Sequence, residues 1–163
     1  MILALSRTRH EARHRVEHAL DDGSVLVWEL LADAPPDALL AAEVELDAAP
    51  AWVARLDRVD FPPGGVAYRH VHPGPGIRFL VAGELTIEAP EGTRTYRAGE
   101  AWFEGAEHPV LATAGEVETA FVRVLLLPAE WAGKRTIRYL DPADEARPRL
   151  QRATILREEP VEP

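Results

Sequence analysis

The sequence predicts an all-β domain, a sandwich or barrel, on three observations. Short runs rich in β-branched and apolar residues follow one another from Ser24 onward. Turn signals separate them: Pro35-Pro36-Asp37, Pro62-Pro63-Gly64-Gly65, Gly83, Pro90-Glu91-Gly92, Ala98-Gly99 and Gly105. Short strands at a spacing of about 8–12 residues are the pattern of sandwiches and barrels. No helical periodicity lies between the runs, which disfavours a parallel sheet with crossover helices.

Taken in order, residues 6–20 form the best helix candidate, with Ser6 or Thr8 as cap and Asp21-Asp22-Gly23 as stop. Its apolar content is thin, so residues 1–23 read as a short peripheral helix or an arm. Strands are expected over 25–31, 39–46, 51–60, 66–72, 77–82, 84–88, 93–97, 101–104, 109–113 and 117–127. The last of these includes Phe121 to Leu127, a buried strand or, if exposed, a dimer edge. Residues 136–140 suit an added edge strand and 141–146 a short helix. The acidic, proline-broken end over 158–163 suits a mobile tail. The expected division is an arm over 1–23, a barrel over 24–140 and an extension over 141–163.

The chain has 163 residues, 47% of them hydrophobic, enough for one ordinary domain with a packed core. With 27 acidic and 18 basic residues the formal charge is −9. Such a surface repels phosphate backbones and anionic lipid, so neither nucleic acid nor membrane is an expected partner. There is no cysteine, which removes disulfides, thiolate metal sites and thiol nucleophiles. The first residues are apolar and the next are basic (Arg7, Arg9, Arg13, Arg15), the reverse of a secretory signal. The expectation is a cytoplasmic protein.

The strongest chemical signal is His70-Val71-His72. Alternate side chains of a strand share a face. Both imidazoles therefore face one side, and two imidazoles so placed could reach one cation at about 2.0–2.1 Å. Five residues separate Gly64 from His70, and six separate Gly76 from Gly83. This spacing of Gly, His-x-His and a closing Gly resembles the first cupin motif. The segment from Gly99 to Val110 is similar to a worn second motif. The resemblance covers roughly residues 60–127 and implies a double-stranded β-helix, a jelly-roll barrel, with the N-terminal helix or arm and the C-terminal extension added to it. It also implies a two-fold homodimer.

The copy departs from the family in its metal ligands. Gly76 stands in the glutamate slot and Val110 in the second-motif histidine slot, leaving Glu104 and His108 as nearby substitutes. One reading is therefore a metal-dependent cupin enzyme of dioxygenase or isomerase type. His70, His72, Glu104 and His108 would be its candidate ligands for one divalent ion: iron, manganese, nickel or zinc. The other reading, which the residues favour, is a module that binds a small polar or anionic molecule with no metal needed. Its candidate contacts are Tyr68, His70, His72, Arg78, Trp102 and Glu104. Arg78 follows the face of Gly76 and stays protonated. It either favours an anion in the cavity, or it sits at the cavity mouth or pairs with an acidic neighbour. Tyr68 shares the parity of His70. No residue is assigned a catalytic role, and the ligand is not named.

One further match, His10-Glu11-Ala12-Arg13-His14, spells the zinc-protease pattern H-E-x-x-H. Only nine residues precede it, too few for a scaffold that would bury zinc. A solvated polar helix is the expected reading.

Overall fold

The computed structural model describes residues 1–46 and 49–161. The chain begins with four strands: β1 (Ile2–Ser6), β2 (His14–Ala19), β3 (Val25–Leu31) and β4 (Leu40–Glu43). They form an antiparallel sheet in the order β2-β3-β1-β4. The helix expected over 6–20 is thus replaced by two strands and a loop. Val16 is the one fully buried residue of β2, packed with Trp28 and Leu26. A lone apolar residue cannot build a helical stripe, but it can fill one inward position of a strand. The stop read at Asp21-Asp22-Gly23 is the β2–β3 turn. The Leu20 N–H donates to Ser24 O at 2.8 Å, and Gly23 takes φ +83, a region that favours glycine. The H-E-x-x-H residues lie in the loop before β2 and at its start, so they share no helical face.

The rest of the chain is a long hairpin rolled on itself. β5 (Trp52–Phe61) pairs with β12 (Thr119–Pro128), and β6 (Val66–Val71) with β11 (Val110–Ala114). Inside them, β7 (Gly76–Ala82) pairs with β10 (Ala101–Glu104), and β8 (Glu84–Ala89) with β9 (Gly92–Arg97). Rolling adds the β12–β7 and β11–β8 pairings. The two resulting sheets run β10-β7-β12-β5-β14 and β13-β6-β11-β8-β9. Here β13 is Arg138–Tyr139, and β14 is Arg152–Val161, an edge strand on β5. The segment expected as a mobile tail is therefore part of the sheet as far as Val161, and residues 162–163 lie outside those described. The helix expected over 141–146 is a 3-10 turn, Pro142–Ala146, capped by the Asp141 side chain.

The N-terminal sheet covers the outer face of the first roll sheet. Leu3, Leu5, Leu26, Trp28 and Leu30 pack against Leu56, Ile77, Phe79, Val122, Val124 and Leu126, and the Trp28 indole donates to Ile77 O at 3.1 Å. This third layer explains why Phe121 to Leu127 is an unbroken buried run: β12 is covered on both faces. Even numbers of β12 face the added sheet, and odd numbers face the roll's interior. Among the described residues, no helix is long and apolar enough to cross a membrane.

The loop before β2 is held by charge. His10 sits between Glu29 (Nδ1 to Oε2, 2.8 Å) and Asp37 (Nε2 to Oδ1, 2.9 Å), and Arg15 donates to Glu29 at 2.7 Å. Its hydrogen bond to Glu29 raises His10 above the ordinary histidine range. A raised folded value stabilises below the unfolded value of about 6.5, and the gain is lost as pH rises through the folded value. The Tm difference between wild type and His10→Ala should therefore be largest near about pH 6 and shrink toward about pH 9. A difference independent of pH would mean that His10 is neutral in the folded state.

Candidate functional site

The roll encloses a cavity of about 270 Å³. It is built in levels by strand alternation. Val59 and Phe61 of β5, Phe121 of β12 and Trp102 of β10 give an apolar floor, closed by Ala67, Ile87 and Ala112 from the opposite sheet. One step along the strands the same faces carry Asp57, Arg123, Arg78 and Glu104. Asp57, Arg123 and Arg78 are register partners across β5, β12 and β7, so three charged groups stand on one rung. His70 and His72 complete this belt from the other sheet, their rings edge to face at 5.1 Å. Above the belt, the open side is formed by the segment 133–137, Arg149, Gln151 and two residues of β14, Ala153 and Ile155.

The belt charges are paired. Arg123 donates to Asp57 Oδ2 through Nε (3.2 Å) and Nη2 (3.0 Å). Arg78 Nη2 lies 2.7 Å from Glu104 Oε2, a close contact without hydrogen-bond alignment, while Nη1 donates to Gly76 O at 2.8 Å. Glu104 also accepts from the Trp102 indole at 2.8 Å. Burial pulls Arg78 down to about 10, which leaves it a cation at neutral pH. Burial pushes Glu104 upward, but the Arg78 charge and the Trp102 hydrogen bond, with lesser help from His70 and Arg123, together outweigh it and hold the carboxyl below its ordinary value.

The histidine tautomers follow from their partners. Arginine only donates, so His72 Nε2 accepts from Arg123 Nη1 at 3.1 Å, and Nδ1–H donates to Thr136 Oγ1 at 3.0 Å. His70 Nδ1 faces the Tyr68 carbonyl at 2.6 Å and therefore carries the proton. The neutral ring leaves Nε2 as an acceptor on the cavity side. Burial lowers the proton affinity of His70, and burial with the Arg123 charge lowers that of His72 much further.

Of the residues singled out in the sequence, His70, His72, Arg78, Trp102 and Glu104 line this cavity. Tyr68 does not. Val110 pairs with His70 but Ala112 with Ala67, so Tyr68 and Arg69 stand opposite Leu111 alone. This bulge reverses the alternation. Ala67 and His70 face inward, while the Tyr68 ring lies outside under the Arg147 guanidinium at 4.5 Å. His108 is also outside, bonded to Glu91 at 3.0 Å in the loop before β11. Arg78 pairs with an acidic neighbour, Glu104, as one of the two readings had it, and it does so inside the cavity rather than at the mouth. Asp57, Arg123, Thr136 and Tyr139 complete the site and were missed. The available cue was a charge breaking an apolar strand run, as Arg123 does between Val122 and Val124.

The belt does not fit a divalent ion. The His72 lone pair that a cation would need points at the Arg123 guanidinium. Glu104 is held by Arg78 and Trp102. A Cβ on Gly76, in the slot where the resemblance puts a glutamate, would lie 2.3 Å from Val124 O, so no side chain fits there. Among the described residues, no group of three or more His, Asp or Glu converges to hold a metal.

The nested pairing of β5 to β12 and the two resulting sheets form a jelly roll, the fold that the sequence resemblance implies. No family model and no curated protein matches the sequence. Similar solved structures include a cupin domain from Bordetella pertussis Tohama I (23% identity, 52% of this chain and 88% of that one, TM-score 0.40). A second is an RmlC-like cupin from Shewanella frigidimarina NCIMB 400 (16%, 54% and 86%, TM-score 0.43). A third is the polyketide cyclase RemF from Streptomyces resistomycificus (20%, 58% and 64%, TM-score 0.44).

Proposed function

We propose that the protein binds a small molecule in the barrel, with an apolar body on the floor and a polar group at the charged belt. The carrying observation is the graded lining of one cavity: Val59, Phe61, Trp102 and Phe121 below, Asp57, His70, His72, Arg78, Glu104 and Arg123 above. An apolar cavity of about 150 Å³ accepts a benzene ring, so about 270 Å³ has room for a substituted ring. The open side is cationic. Lys134, Arg135 and Arg149 line it, and Glu145 is the carboxylate that pairs with both arginines. An anionic substituent of the ligand would be favoured there, at the rim rather than at the belt.

The test is thermal stabilisation by a panel of single-ring amides, phenols and acids, in wild type and in Ala112→Leu. Ala112 lines the floor without touching the charged pairs, so a larger side chain fills the cavity and leaves the belt in place. Binders should stabilise wild type by roughly 5–10 °C at about 100 times Kd, equivalent to about 2.7 kcal/mol, and lose this in Ala112→Leu. Equal stabilisation of both proteins would place binding elsewhere and overturn the reading.

A further inference from the structure

We propose that the belt recognises an uncharged group that both accepts and donates hydrogen bonds, of the amide or lactam kind, rather than a carboxylate. The inference rests on the barrel being a ligand site and adds the chemistry of the group at its belt.

The first ground is the inventory of free donors and acceptors. A guanidinium has five N–H groups. In Arg123, one on Nε and one on Nη2 go to Asp57, and one on Nη1 goes to His72, which leaves two without a partner among the described residues; Arg78 Nη2, though close to Glu104, also has no aligned hydrogen bond there. Beside these donors stand two acceptors. One is His70 Nε2, since Nδ1 of that ring is tied to the Tyr68 carbonyl. The other is Asp57 Oδ1, which is buried and has no hydrogen-bond partner among the described residues, because both contacts from Arg123 fall on Oδ2. A buried acceptor without a donor carries a standing penalty, but the surface of Asp57 Oδ1 is closed, so His70 Nε2 is the acceptor that a ligand N–H would meet.

The second ground is charge. Two guanidinium ions, Arg78 and Arg123, face two carboxylates, Glu104 and Asp57, and all four are buried. The belt is balanced before any ligand enters. A carboxylate there would add an uncompensated buried charge. It would also turn a third set of lone pairs toward His70 Nε2 and Asp57 Oδ1. An amide meets both demands: its carbonyl accepts from Arg123, and its N–H donates to His70 Nε2.

Isothermal titration of the full chain with three isosteric probes tests this. Benzamide carries acceptor and donor, acetophenone the acceptor alone, and benzoate acceptors with a negative charge. Benzamide should bind tightest, by about tenfold or more over each of the others, since a site built for a donor rejects the analogue lacking it. Asp57→Asn leaves the belt with an excess positive charge, so benzoate should gain about tenfold or more relative to benzamide. A variant damaged only in structure would weaken all three together and would overturn the role given to Asp57. If Asp57→Asn does not fold, the wild-type order alone decides. Equal affinities, or benzoate first, would overturn the inference and leave the barrel reading standing. Failure of all three to bind would overturn both.

Discussion

Replacing Arg123 by methionine should destabilise the protein by about 3–5 kcal/mol, the usual loss when one partner of a buried ion pair is removed. For a domain of this size that corresponds to a fall in Tm of roughly 10 °C or more. The arginine and Asp57 have side chains only 6% and 3% exposed. Methionine fills much of the same volume, so the loss would not come from a cavity. It would come from a carboxylate left in the interior with neither of its two contacts from Arg123. His72 would lose the donor on Nε2 at the same time. The double variant Asp57→Leu with Arg123→Met removes both charges and should recover most of the loss, because the penalty belongs to the unpaired charge and not to the absence of the pair. Urea unfolding of the wild type, both single variants and the double variant measures the coupling. A loss below about 1 kcal/mol for Arg123→Met, the range of exposed pairs, would show that water reaches the belt freely.

The same pair shows where the sequence could and could not be read. Strand 25–31 coincides with β3, and 101–104 with β10, because turn residues bracket short runs rich in β-branched, aromatic and apolar residues. Gly83 closes the β7–β8 turn at φ +76, with Thr119 Oγ1 only 2.3 Å from where a Cβ would stand. These features are local, and local features are legible. Three others depend on distant contacts. β2 is a strand because β3 offers it an edge and Val16 a slot, neither of which residues 6–20 reveal on their own. Tyr68 leaves the cavity because β11 forces a bulge opposite Leu111. The charge of Arg78 is balanced because Glu104, 26 positions on, reaches it from the neighbouring strand β10. Asp57 and Arg123 fall on one rung only after β5 and β12 are paired in register. Spacing within a motif carries no information about that rung.

Gly76→Glu separates the chain's own packing from the pattern it resembles. If the backbone there followed the metal-binding path, glutamate would enter the cavity and add a third ligand beside His70 and His72. The surroundings forbid it. A Cβ at position 76 would stand 2.3 Å from Val124 O and 2.8 Å from Leu125 Cδ2. The first is backbone at the end of the β12–β7 ladder, where Gly76 is the register partner of Leu125. Any side chain there must push apart two buried strands, and no rotamer of the glutamate avoids the clash, because it arises at Cβ. The expected result is therefore insoluble protein, or a loss of about 4–5 kcal/mol or more, beyond the common range for single substitutions. Gly76→Ala should already show much of it, which separates the steric cause from the carboxylate. Circular dichroism melts of both variants, with and without nickel or zinc, decide the matter. Soluble Gly76→Glu protein that melts near the wild-type temperature and gains stability from the ion would mean that the strand opens at this position and that the barrel can be returned to metal binding by one residue.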